Sequence, residues 1–172
     1  MPEKFICDGK KYMLAGQKGD SITLLVSLSN LPNRIEANGY TLDLKTKFHV
    51  SLVCIGKIIE KHNVKIPNFI EKIVGDFCEF TESNKVDLVS YRNEFKFVSE
   101  NENRTVVVMC DISNLDRFFD FINQKYGLNI EYPPTHVTLY TLTVLGIFLT
   151  DSNDIQKLTI PIENLGLVLP KV

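Results

Sequence analysis

The chain has 172 residues, of which 44% are hydrophobic and 23% are charged, and its formal net charge at pH 7 is -2. This length predicts one domain over residues 1–172, because a folded chain of similar size buries roughly 70% of the surface that it exposes when unfolded. Lysine and arginine are spread along the chain without a long run, which argues against binding to long duplex nucleic acid.

The first third of the chain is predicted to form strands. Short apolar segments separated by turn-forming residues predict strands at 4–7, 11–15, 22–29, 40–44 and 48–55. The turns between them contain Gly9, the segment 16–20 and Leu31-Pro32-Asn33, which are residue types that favour turns.

A helix is predicted next, at about 67–82. Pro67 suits its first position, where a backbone N–H would have no helical partner. Apolar residues then recur every three or four positions, as one buried helix face requires, at Phe69, Ile70, Ile73, Val74, Phe77 and Phe80.

Three strands and a second helix are predicted after it. The strands lie at 86–89, 95–98 and 105–112, with a polar turn at 100–103. Ser113 begins the sequence Ser-Asn-Leu-Asp, which resembles a helix capping box, and Gly127 suits the left-handed end of that helix. The apolar face of this helix is predicted to consist of Leu115, Phe118, Phe119, Ile122 and Tyr126.

The last part of the chain predicts strands at 136–143, 145–149, 157–162 and 167–169, with a polar turn at 151–154. No linker or low-complexity segment interrupts the chain. The mixture of many strands with two helices predicts a single α+β domain.

The cysteines and the N-terminal residues indicate in which cellular compartment the protein is expected. Cys7, Cys54, Cys78 and Cys110 have no C-x-x-C spacing, and three of them lie in apolar runs, where free cysteine behaves as a small hydrophobe. The first residues lack the apolar segment of a secretion signal, and no apolar stretch is long enough to span a membrane. We therefore expect a cytoplasmic protein in a reducing compartment, without a membrane partner.

Two of the three histidines share one local pattern. His49 is followed two residues later by Ser51, and His136 by Thr138, in each case inside an apolar strand. Alternate residues of a strand share a face, so each strand presents an imidazole beside a hydroxyl. The third histidine, His62, lies among charged and polar residues and is expected to be exposed.

Paired imidazoles suit general acid–base catalysis. An unperturbed histidine titrates near pH ~6.5, so at neutral pH one imidazole can accept a proton while another donates one. The hydroxyls can donate hydrogen bonds to phosphate oxygens. A single histidine on a strand is more often a structural, hydrogen-bonded residue, and it is the repetition of the pattern that favours catalysis.

The segments "FHVSLV" and "THVTLY" resemble the paired H-x-T/S motifs of the two-histidine (2H) phosphoesterase superfamily. This superfamily includes bacterial 2′–5′ RNA ligases, 2′,3′-cyclic nucleotide phosphodiesterases and phage enzymes that cut cyclic oligonucleotide signals. The resemblance implies a two-lobed α+β fold with pseudo-twofold related antiparallel sheets around a central cleft, flanking helices, and one motif strand from each lobe.

The same resemblance implies the roles of the motif residues. His49 and His136 would be the catalytic acid and base, and Ser51 and Thr138 would hold the phosphate. The superfamily needs no metal or other cofactor. The expected substrate is a 2′,3′-cyclic phosphate or a short 2′–5′ or 3′–5′ linked cyclic oligonucleotide, and we expect a monomer.

This sequence also departs from the superfamily pattern. Ser51 stands where threonine is commoner, although either side chain supplies the hydroxyl. Tyr140 and Thr141 follow the second motif, where many ligase-like relatives carry a basic residue. Tyr140 shares the face of His136, so it either stacks on a base or bonds a phosphate, or else only lines the cleft. Degradation of cyclic oligonucleotide immune signals and non-catalytic binding of nucleotides or RNA ends are the rival functions.

Overall fold

A computed structural model describes residues 4–9, 11–16, 18–144, 146–163 and 165–172. Over these residues the chain is an α+β protein with a large antiparallel sheet, as predicted. The strands are β1 (Lys4–Phe5), β2 (Tyr12–Ala15), β3 (Ser21–Val26), β4 (Arg34–Ala37), β5 (Tyr40–Leu44), β6 (Phe48–Cys54), β7 (Leu88–Glu100), β8 (Asn103–Ile112), β9 (His136–Thr141) and β10 (Thr159–Ile162). The helices are α1 (Ile55–His62), α2 (Phe69–Ser83), α3 (Leu115–Tyr126) and α4 (Ser152–Leu158).

The chain divides into two compact units. The first unit consists of Met1–Leu25, Ser51–Asp87 and Ile112–Pro133, and the second of Val26–Val50, Leu88–Asp111 and Pro134–Val172. Strand β6 begins in the second unit and ends in the first. Both His49 and His136 belong to the second unit, which differs from the expectation that each lobe contributes one motif strand.

The first unit combines strands β1 to β3 with helices α1, α2 and α3. Its core contains a chain of aromatic edge-to-face contacts, in which the ring of Phe77 lies 5.1 Å from the rings of both Tyr12 and Phe118. All three side chains are buried. Such pairs stabilise a core beyond the area that they bury, which explains why the apolar stripes of α2 and α3 contain so many phenylalanines.

The second unit consists mainly of sheet. Strand β9 has β8 on one side and both β6 and β5 on the other, and beyond β8 follow β7 and β10. Strand β4 forms an antiparallel pair with β5. Val106, Val107 and Val108 of β8 are all buried, and so are Val137 and Leu139 of β9. These β-branched and apolar residues suit strands in the middle of a sheet.

Both long helices were located by their apolar periodicity, but the predicted starts were wrong. Pro67 lies in a turn, and α2 begins at Phe69 after Asn68, whose φ is 54°. Ser113 does not cap α3, because its hydroxyl accepts a hydrogen bond from the Asp87 N–H at 3.0 Å and donates one to the Lys85 carbonyl. The expectation for Gly127 is confirmed, since it ends α3 with φ 63°.

Several other element predictions were wrong. Helix α1 occupies residues that directly follow β6, and α4 replaces the predicted polar turn at 151–154. Strand β7 is continuous over the gap predicted between 89 and 95. Residues 146–149 and 167–169 are not strands: Ile147, Leu149 and Leu167 are apolar because they are buried in loops. Leu145 of a predicted strand and Gln17 of a predicted turn lie outside the described residues.

The interpretation of Cys7 as a free cysteine in an apolar run was wrong. Cys7 and Cys78 form a disulfide, with their Cα atoms 5.2 Å apart. Cys54 and Cys110 are free. The expectation of a reducing compartment relied in part on Cys7 as a free residue, and the disulfide removes that support. Within the described part of the chain, no helix is both long and apolar enough to cross a membrane.

Candidate functional site

The two motif strands are neighbours in the sheet. Strands β6 and β9 are antiparallel, and Val50 lies opposite Val137. Both valines are fully buried, whereas His49 and His136 beside them are partly exposed. The alternation places the valines on the packed face and the histidines on the other face, as the sequence pattern predicts for a half-buried strand.

This register also relates His49 to the second motif. If Val50 lies opposite Val137, then His49 lies opposite Thr138, and His136 is its diagonal neighbour. Cβ atoms of directly opposite residues in such a pair are about 5 Å apart, and those of diagonal neighbours are about 7–8 Å apart. The register therefore places His49, Thr138 and His136 close together on one face of the two strands.

Ser51 follows His49 on the same face of β6 and lies in the first unit. Its hydroxyl forms a hydrogen bond with the thiol of Cys54. Burial raises the pKa of that thiol to about 11, so Cys54 is a neutral partner for the hydroxyl near pH 7. The serine hydroxyl is therefore held at the point where β6 leads into α1.

The imidazole of His136 is oriented by the backbone. Its Nδ1 lies 2.8 Å from the carbonyl oxygen of Pro134. A carbonyl oxygen only accepts hydrogen bonds, so Nδ1 carries the proton. Burial lowers the pKa of His136 below its ordinary value, although the bond to Pro134 acts in the opposite direction. At neutral pH the ring is therefore uncharged, and Nε2 carries the lone pair.

An apolar cluster lies beside this face of β9. Met109 of β8 is paired with His136, and Val107 with Thr138, so the two β8 residues share the face of the motif. Both are buried in a cluster that also contains Val98, Ile147 and Leu149, with Ile155 and Leu158 of α4 packed against it. The cluster therefore adjoins the motif face at the two β8 residues that are paired with His136 and Thr138.

A polar group continues the same face further along β8. Asp111 lies two residues after Met109, and its carboxylate accepts hydrogen bonds from Ser90 at 2.8 Å and from Arg92 at 2.8 and 2.6 Å. The Arg92 and Ser90 hydrogen bonds lower the pKa of Asp111. Sequence reasoning missed this group. Two features of the sequence could have indicated this group: an acidic residue at the end of the apolar run "VVVMCDI" and an arginine in "SYRNEF".

Tyr140 is placed differently from the other motif residues. Its side chain is fully buried, and its hydroxyl donates to the Pro32 carbonyl at 3.0 Å. It also lies opposite Leu44 of β5. A ring enclosed in this way has no open face on which a base could stack. Tyr140 is therefore not proposed to contact the substrate.

His62 is exposed at the end of α1, as predicted. In the part of the chain that the structure describes, no group of three or more His, Cys, Asp or Glu residues could hold a metal ion.

Comparison with known proteins identified no relative. No family model matches the chain, and neither the curated proteins nor the solved structures contain a match.

Proposed function

We propose that this protein is a metal-independent phosphodiesterase of the two-histidine type, acting on a nucleotide phosphodiester. The observation that carries the proposal is the relation of His49 to His136 and Thr138 on neighbouring strands. On this register two imidazoles and a hydroxyl share one face of two neighbouring strands. The proposal extends to a 2H-type fold, except that both motif histidines lie in one compact unit.

His136 is the general base in this proposal. Its Nδ1 proton is committed to the Pro134 carbonyl, and its pKa is lowered by burial. A neutral imidazole with an unprotonated Nε2 accepts a proton from water, which is the task of a base. His49 then serves as the acid that protonates the leaving oxygen.

The reaction balances with these two groups and one water molecule. Nε2 of His136 takes a proton from water while the water oxygen attacks phosphorus. The bond between phosphorus and the leaving ribose oxygen breaks, and that oxygen receives a proton from the His49 imidazolium. Transfer of one proton from His136 back to His49 through solvent restores the starting state, and each acid or base step contributes about 100- to 10,000-fold.

Thr138 is suited to stabilise the transition state. It lies opposite His49 and on the same face as His136, so its hydroxyl can donate to a phosphoryl oxygen between them. The buried side chains of Met109 and Val107 lie on the neighbouring strand, paired with His136 and Thr138, and make this side of the position apolar. Hydrogen bonds to developing charge are stronger in a partly dry site than in water.

Chromatographic product analysis tests the proposal. The protein is incubated in EDTA with 2′,3′-cyclic mononucleotides and with cyclic di- and trinucleotides, beside His49→Ala, His136→Ala and the exposed control His62→Ala. Hydrolysis by the wild type and the His62 variant, with loss in both site variants, is the expected result. Hydrolysis that survives in either site variant, or that is absent from the whole panel, would contradict the proposal.

A further inference from the structure

A cavity of about 340 Å³ lies against β7 in the second unit. Ser90, Arg92, Asn93 and Lys171 supply polar and cationic groups to its lining, and Phe95 and Leu169 supply apolar surface. Small-molecule sites typically begin at about 300 Å³ and combine apolar walls with a few polar groups. The size and lining therefore suit one nucleotide unit.

Arg92 connects this cavity with the face that carries His136. It lines the cavity, and its guanidinium also donates through Nε and Nη2 to Asp111. Asp111 shares the face of Met109, which is paired with His136. Neighbouring strands are about 4.8 Å apart. Because β8 lies between β9 and β7, these two strands are about 10 Å apart. A substrate of two nucleotides is long enough to extend over this distance.

The chemistry of the lining suits an anionic, hydrogen-bonding ligand. The guanidinium of Arg92 is held in one orientation by Asp111, while its side chain remains 47% exposed. An oriented guanidinium presents paired donors to phosphate oxygens or to a base edge. Lys171 adds a second positive charge, and the Asn93 amide can both donate and accept hydrogen bonds.

We propose that this cavity is a subsite for a second nucleotide of the substrate, with Arg92 as its specificity-determining residue. This inference rests on the proposed function, and it names the substrate class as an oligonucleotide of at least two units rather than a 2′,3′-cyclic mononucleotide. Arg92 binds the neighbouring phosphate or base, and the reaction at His49 and His136 is unchanged.

Two substrates with the same reacting group test the subsite. Adenosine 2′,3′-cyclic phosphate has one nucleotide, and the dinucleotide ApA ending in a 2′,3′-cyclic phosphate has two. We expect the wild type to show the higher kcat/KM for the dinucleotide. Arg92→Gln should reduce that preference by about tenfold or more, the value of one hydrogen bond to a charged group. Its activity on the mononucleotide should fall less than its activity on the dinucleotide, because the mononucleotide does not reach the subsite.

Lys171→Gln provides an independent variant, since it leaves the contacts of Asp111 in place, and exposed Lys72→Gln of α2 is the matched control. Lys171→Gln should lower the dinucleotide preference in the same direction, and Lys72→Gln should not change it. Equal effects of Arg92→Gln on both substrates, or no effect on either, would overturn the subsite.

A binding measurement separates this inference from the proposed function. Calorimetric titration of the dinucleotide into the wild type and Arg92→Gln is carried out whether or not turnover is seen. Tighter binding by the wild type without turnover of either substrate would support the subsite while overturning the hydrolase. Equal binding by both proteins would overturn the subsite even if the mononucleotide is hydrolysed.

Discussion

Nδ1 of His136 lies 2.8 Å from the carbonyl oxygen of Pro134, two residues earlier in the chain. The hydrogen bond to this backbone carbonyl decides which ring nitrogen of His136 carries the proton. It also makes the ring rigid, because the acceptor belongs to the segment that leads directly into β9. The same histidine therefore has a defined tautomer before any substrate arrives.

The first prediction concerns the titration of His136. Burial lowers its pKa below the ordinary value of about 6.5, so the ring stays neutral at slightly acidic pH. Heteronuclear NMR of ¹⁵N-labelled histidine should show that His136 is a neutral ring protonated on Nδ1, with a titration midpoint below the ordinary value of about 6.5. On the acidic side of the pH profile, kcat/KM should rise with pH through the titration midpoint of His136. A neutral ring protonated on Nε2 would contradict the assignment of the base.

The second prediction concerns stability against pH. The folded state has the lower pKa for His136, so between that pKa and about 6.5 the unfolded chain binds more protons. The free energy of unfolding should therefore fall as the pH drops below about 6.5. Urea titrations at several pH values should show a smaller fall for His136→Gln than for the wild type, because the variant lacks the group whose pKa is lowered. An unchanged slope in His136→Gln would contradict the prediction.

The third prediction tests the hydroxyl of Thr138. Thr138→Val keeps the shape of the side chain and removes the donor, so kcat should fall by about 100-fold with a smaller change in KM, as for a donor that acts in the transition state. Thr138→Ser retains a hydroxyl and should keep most of the activity. Steady-state kinetics measure both, and equal rates for the valine and serine variants would refute the role.

The fourth prediction concerns a buried carboxylate in the first unit. Asp76 is only 8% exposed and accepts hydrogen bonds from Lys125 and from the Tyr126 hydroxyl, both at 2.6 Å. Burial and Asp76 together raise the pKa of Tyr126 to about 12. Asp76→Ala leaves these donors without their acceptor, which should cost about 1–3 kcal/mol. Chemical denaturation measures this loss, and exposed Asp120→Ala should differ little from the wild type.

The fifth prediction concerns the Cys7–Cys78 disulfide. A bond across a separation of 71 residues restricts the unfolded chain, so its removal should lower the free energy of unfolding by about 2–5 kcal/mol. The Cys7→Ser, Cys78→Ser double variant should melt at a lower temperature than the oxidised wild type. Addition of a dithiol reductant should destabilise the wild type and leave the double variant unchanged. A reductant effect of equal size on both proteins would show that the disulfide is not its cause.

Local patterns were sufficient for much of the secondary structure. The recurrence of Phe69, Ile73 and Phe77 located α2, because periodicity along a helix depends only on nearby residues. The helix starts were missed for a different reason. Ser113 has the side chain of a cap, but its hydroxyl is used by Lys85 and Asp87, which lie in another segment of the chain. Competition for one donor or acceptor is decided by tertiary contacts.

The sequence by itself determined that His49 and Ser51 share one face of a strand, and that His136 and Thr138 share one face of another. That result follows from the two-residue period of the backbone. Only the tertiary structure decided that β6 and β9 are neighbours, that His49 lies opposite Thr138, and that Arg92 reaches Asp111. Strand order and register depend on which distant apolar residues are buried together, as Val50 is with Val137. No local pattern contains that information.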